Sequence, residues 1–70
     1  MDLRYRIGVG APLPTDVVDE IERRFGPVRI TRGRRVTLRG ALTDQAALRG
    51  LLTLLWDVNA EVVAVRVTAT

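Results

Sequence analysis

Val28-Arg29-Ile30-Thr31-Arg32-Gly33-Arg34-Arg35-Val36-Thr37-Leu38-Arg39 is the stretch that decides the fold. Apolar and polar residues alternate on both sides of Gly33, the period of two that sends every second side chain to one face of a strand. Two such runs joined by a glycine-containing turn form a β-hairpin, read here with Gly33-Arg34 as the turn and Arg35–Arg39 as the second strand. Val28, Ile30, Val36 and Leu38 then face the core.

Each side of the hairpin carries one helix and one strand. Upstream, Asp2 to Val9 alternates strictly, with Leu3, Tyr5, Ile7 and Val9 apolar, and Gly8, Gly10, Pro12 and Pro14 punctuate the loop that follows. Residues 15–25 read as a helix capped by Thr15 or Asp16. Val17, Val18, Ile21 and Phe25 share one face, acids come early, Arg23 and Arg24 come late, and Gly26-Pro27 supplies the stop. Downstream, Thr43 is expected to cap a second helix running to about Val58, with Leu48, Leu51, Leu52, Leu55 and Val58 as its stripe and Asn59 at its left-handed end. Val62–Val67, rich in β-branched residues, reads as the last strand, with Val63, Val65 and Val67 inward.

The order is βαββαβ, which predicts an α+β, ferredoxin-like domain over residues 1–70. Right-handed crossovers put both helices on one face of a four-stranded antiparallel sheet, with the first and third strands in the middle.

Composition bounds the chemistry. Seventy residues make one small domain, which buries only about 60% of its unfolded surface. Without His or Cys the chain lacks the commonest general base, the commonest metal ligand, thiolate nucleophiles and disulfide staples. No enzyme activity, cofactor or metal site is therefore expected. The Gly8-Val9-Gly10-Ala11-Pro12 loop lacks the spacing and the Lys of a phosphate-binding P-loop. Asp16, Asp19, Glu20 and Glu22 suit a helix N-terminal half better than a metal site. The chain opens on alternating charge with no apolar signal-like run, and no stretch reaches the roughly 18 apolar residues of a membrane span. A cytoplasmic protein with no membrane role is expected.

All 11 basic residues are Arg, against 8 acids, for a net charge of +3. The choice of Arg over Lys is what a GC-rich coding sequence is expected to give, but that bias does not decide where the arginines stand. Strand parity places Arg4, Arg6, Arg29, Arg35, Arg39 and Arg66 on the face away from the helices, interleaved with Thr31, Thr37 and Thr68. These six are candidate anion-binding residues. They point to nucleic acid or another polyanion, although the strand aromatic Tyr5 has core parity and gives that face no stacking platform. A merely solvated face is the competing reading. On the second helix, Ala46, Gly50, Thr53, Leu54 and Trp56 form a surface with little charge, a candidate interface for a homodimer or a protein partner.

Gly40-Ala41-Leu42-Thr43-Asp44-Gln45-Ala46-Ala47-Leu48-Arg49-Gly50-Leu51-Leu52, with Trp56-Asp57, Val63-Ala64-Val65 and the opening Tyr5-Arg6-Ile7-Gly8-Val9, resembles a group of short uncharacterised bacterial proteins. These carry an Asp-Gln-Ala-Ala-Leu-His-Gly-Leu-Leu helix motif; Arg49 stands where the group often has His. The resemblance implies the same fold and brings no activity. The expected function is a small non-enzymatic interaction or regulatory module. The alternatives are nucleic-acid or polyanion binding on the arginine face, and ACT-like ligand sensing through the loop after the first strand.

Overall fold

A computed structural model describes residues 2–69. Its elements are β1 (Leu3–Val9), α1 (Thr15–Phe25), β2 (Val28–Arg32), β3 (Val36–Leu42), α2 (Gln45–Asp57) and β4 (Val62–Ala69). The strands form one antiparallel sheet in the order β2-β3-β1-β4, the ferredoxin-like arrangement with β1 and β3 central. Each helix bridges two parallel strands separated by a third, so α1 crosses above β3 and α2 above β1.

The core lies between the sheet and the helices. Tyr5, Ile7, Val9, Val36, Leu38 and Leu42 from the sheet meet Val17 and Ile21 of α1 and Leu51 and Leu55 of α2. Direct pairing fixes the rows of this inner face as Val28·Gly40·Tyr5·Val67 and Ile30·Leu38·Ile7·Val65. At the first row Gly40 leaves room for the Tyr5 ring. A Cβ on Gly40 would lie 2.5 Å from the phenolic oxygen and 2.8 Å from Cζ. Burial of that ring pushes the phenol pKa above its ordinary value.

Several expectations need correction. Asp44, not Thr43, caps α2: its Oδ1 accepts from the Ala47 amide at 2.9 Å, three residues on, the reach of an N-cap side chain. Neither Thr15 nor Asp16 caps α1. Pro14 occupies the cap position, and its carbonyl accepts from Val17 and Val18 without side-chain help. The third strand begins at Val36 and runs on to Leu42, which is buried. The ends expected from glycine and asparagine do form. Gly26 has φ +91°, and Asn59 at φ 61° closes α2 in a Schellman motif, with the Asn59 amide donating to the Trp56 carbonyl and Ala60 to Leu55.

The largest correction concerns β4. Val65 and Val67 have the expected inward parity, being paired with Ile7 and Tyr5, but remain 44% and 38% exposed. They lie on an edge strand beyond the cover of α2. Val63 is turned by a bulge: the single step Gly8–Val9 on β1 answers two steps on β4, from Ala64 to Val62. A Val63 methyl thereby lies 3.6 Å from the place a Cβ on Gly8 would take, on the face away from the helices.

Candidate functional site: an arginine row across the open sheet face

The residues left after the core is built form the opposite face of the sheet. Side chains directly opposite in an antiparallel pair share a face, so the registers convert parity into neighbours. Arg29 pairs with Arg39, Arg39 with Arg6, and Arg6 with Arg66. One arginine from each strand therefore stands in a single row across the whole sheet, about 14 Å from end to end at roughly 4.8 Å per strand.

The flanking rows are made of small residues apart from Arg4. On one side run Thr31, Thr37, Gly8 and Ala64; on the other, Ala41, Arg4 and Thr68. Arg4, Arg6, Arg29, Arg39 and Arg66 line one concavity together with Asp2, Ala41 and Thr68. All five arginines are exposed. On α1, Glu20 pairs with Arg23 and, at 3.9 Å, with Arg24. Glu20 is thus engaged by arginines of its own helix.

Electrostatically the row costs stability. Like charges directly opposite on a sheet are unfavourable by about 0.2–1 kcal/mol a pair, and three such pairs lie in sequence here. What the arrangement can do chemically is bind phosphate oxygens. Guanidinium groups stay charged, present planar pairs of donors and match phosphate geometry two bonds at a time.

Five of the six predicted anion-binding residues come together; Arg35 does not. It lies in the turn before β3, and its Cδ sits 3.6 Å from the place of a Gly8 Cβ, at the end of the face away from Arg4. The reason is the length of the turn. Arg32 pairs with Val36, so the hairpin loop holds three residues, Gly33, Arg34 and Arg35, rather than two. That length was recoverable from parity. A two-residue turn would pair Ile30 with Thr37, whereas three residues pair Ile30 with Leu38 and Arg29 with Arg39.

The second predicted surface divides. Gly50 packs inward, since a Cβ there would meet the Phe25 ring of α1 at 3.3 Å. Leu54 is half-buried and lines a groove with Val17 and other α1 residues. Ala46, Thr53 and Trp56 are exposed, Trp56 at 58%. At 100° per residue Trp56 lies about 160° around α2 from Leu54, on the flank turned away from α1. The five residues therefore do not make one surface.

A family model described as Domain of unknown function (DUF8691) matches residues 4–66. The chain belongs to that family. The matched span begins at Arg4 and ends at Arg66, and so contains the whole row as well as the Asp44–Leu52 helix motif. No curated protein matches the chain. No helix among the described residues is long and apolar enough to cross a membrane.

Proposed function

We propose that this chain is a small non-enzymatic interaction module that binds the phosphate backbone of single-stranded nucleic acid along the row Arg29, Arg39, Arg6 and Arg66. The observation that carries the reading is the row itself: four arginines in direct register, with Arg4 beside them and otherwise small residues on either side. A flat open sheet face suits a flexible single strand that can lie across it. Tyr5, the strand aromatic, is buried on the other face, so recognition runs through phosphates and not through stacked bases. The module accordingly discriminates little between sequences. Its working compartment is the cytoplasm, where single strands are present. The Asp44–Leu52 motif shared with the short bacterial group then serves the scaffold: Asp44 starts α2, Gly50 admits Phe25, and Leu51 reaches the core.

Titration of a labelled single-stranded oligonucleotide at several salt concentrations tests this. Four neutralised phosphates give a slope of log K against log salt near −3, about a fiftyfold loss of affinity between roughly 50 and 200 mM. The pair Arg6→Gln and Arg39→Gln is expected to halve the slope, about 0.7 for each arginine removed. Absence of binding at low salt, or a slope unmoved by that pair, would overturn the reading.

A further inference from the structure

The two edges of the sheet differ in kind. β2 is five residues long and carries Arg29 and Arg32, the charge and brevity with which natural sheets protect an edge. β4 is eight residues long, has four valines and one charge, Arg66, and is exposed along nearly its whole length. Its outer backbone groups face no strand among the described residues. Such an edge is a template for another strand. Beside it, Trp56 stands on the flank of α2 turned away from α1, and α2 lies above β1, next to β4.

We infer that β4 pairs with β4 of a second copy of this chain, antiparallel about a two-fold axis, to make one eight-stranded sheet. The strand is self-complementary in a way that selects its register. For the helices of both copies to share a side, the axis must pass through a residue and not between residues. An axis at Arg66 would set that charge directly against its own copy. An axis at Val67 instead puts Val67 against Val67, Val65 against Ala69 and Arg66 against Thr68; this uses the straight part of β4 and avoids the bulge at Val63. Val65, Val67 and Ala69 all lie on the helix side, paired with Ile7, Tyr5 and Leu3, so apolar meets apolar.

The inference goes beyond the nucleic-acid reading, which gains from it if both hold. The second copy extends the arginine row onto four more strands, staggered by two residues or about 7 Å, which keeps the two Arg66 side chains apart. A site of four arginines becomes one of eight.

The test needs no nucleic acid, so its failure and the failure of the binding reading are separate results. The chain has no Cys, so a single introduced cysteine reports cleanly. Directly opposed residues of an antiparallel pair have Cα atoms about 4.5–5.5 Å apart, within the range a disulfide spans. Val67→Cys is expected to crosslink rapidly on mild oxidation, and Thr31→Cys, on the far edge strand β2, to stay uncrosslinked within the same dimer. In sedimentation the wild type is expected to run as a dimer and Val65→Lys with Val67→Lys as a monomer of unchanged circular dichroism; both valines are exposed, so the fold survives. A wild type that stays monomeric at high concentration overturns the inference. So does a dimer indifferent to the two lysines, or a Thr31→Cys variant that crosslinks as fast as Val67→Cys.

Discussion

Gly40→Ala puts the register of the arginine row under direct stress. Gly40 pairs with Tyr5 and sits next to Arg39, and the Tyr5 ring occupies the space its missing side chain leaves, the arrangement by which an aromatic covers a strand glycine. The added methyl would lie 2.5 Å from the phenolic oxygen and 2.8 and 2.9 Å from Cζ and Cε2. Carbon pairs settle at about 3.5–4.0 Å, so the ring must retreat by roughly 1 Å. It has nowhere easy to go, being 4% exposed and packed in the same core as Ile7 and Leu38. Overpacking of this kind costs about 1–3 kcal/mol, while Ala in place of Gly within a strand returns about 0.5–1. The net expectation is a loss of about 1–2 kcal/mol, seen as a fall in Tm of about 5–15 °C for a domain of this size. Urea unfolding of wild type, Gly40→Ala, Tyr5→Leu and the double variant supplies the check. Once the ring is gone the methyl has room, so Gly40→Ala should be neutral or stabilising in the Leu background. The coupling between the sites then amounts to about 1.5–3 kcal/mol. Equal cost in both backgrounds, or a Gly40→Ala protein within about 0.5 kcal/mol of wild type, would refute the packing argument.

Two further outcomes follow from the two faces of the sheet. Arg39 has an arginine directly opposite on each side, so Arg39→Thr removes two repulsive pairs; Tm at low salt should rise by several degrees while oligonucleotide affinity falls. Equal thermal shifts at low and high salt would show that charge is not the cause. On the inner face, the raised Tyr5 pKa means that above pH 10 the unfolded chain gives up the phenolic proton more readily than the folded one. Stability is therefore intact below that point and declines as pH rises through the folded value. Tyr5 is the sole tyrosine, so phenolate absorbance reads its titration directly; a folded midpoint at or below 10 would contradict its burial.

Alternation made the strands legible, and parity made the two faces legible, because a period of two is a local property that survives without tertiary information. Leu3, Tyr5, Ile7, Val36 and Leu38 are buried as their parity requires. Coverage is different in kind. Val65 and Val67 carry the parity of core residues, yet whether a helix reaches over an edge strand depends on where α2 lies, which no local pattern encodes. Leu42 was obscured by Gly40, which breaks the apolar alternation at a position that has inward parity and no side chain. The α1 cap was misplaced because Thr15 and Asp16 are good capping residues that the chain does not use as caps. The row itself was half legible. Parity collected the arginines on one face, but alignment depends on register, and register rests on a three-residue turn and a bulge.

The exclusive use of arginine over lysine says nothing about which positions are basic. A sheet face that needs only to be wet is best built from mixed charges, since opposite signs facing each other across strands stabilise it and like signs do not. This chain has the acids for that: eight of them, four on α1, Asp44, Asp57 and Glu61 elsewhere, and Asp2 at one end of the concavity. None stands in the row. The four positions that face one another across the sheet are instead all cationic, at a cost in stability that one Glu at position 39 would turn into a gain. An arrangement that forgoes stability at one place, with the remedy present elsewhere in the same sequence, is what the proposed nucleic-acid surface requires, its repulsion being relieved when the anionic ligand arrives.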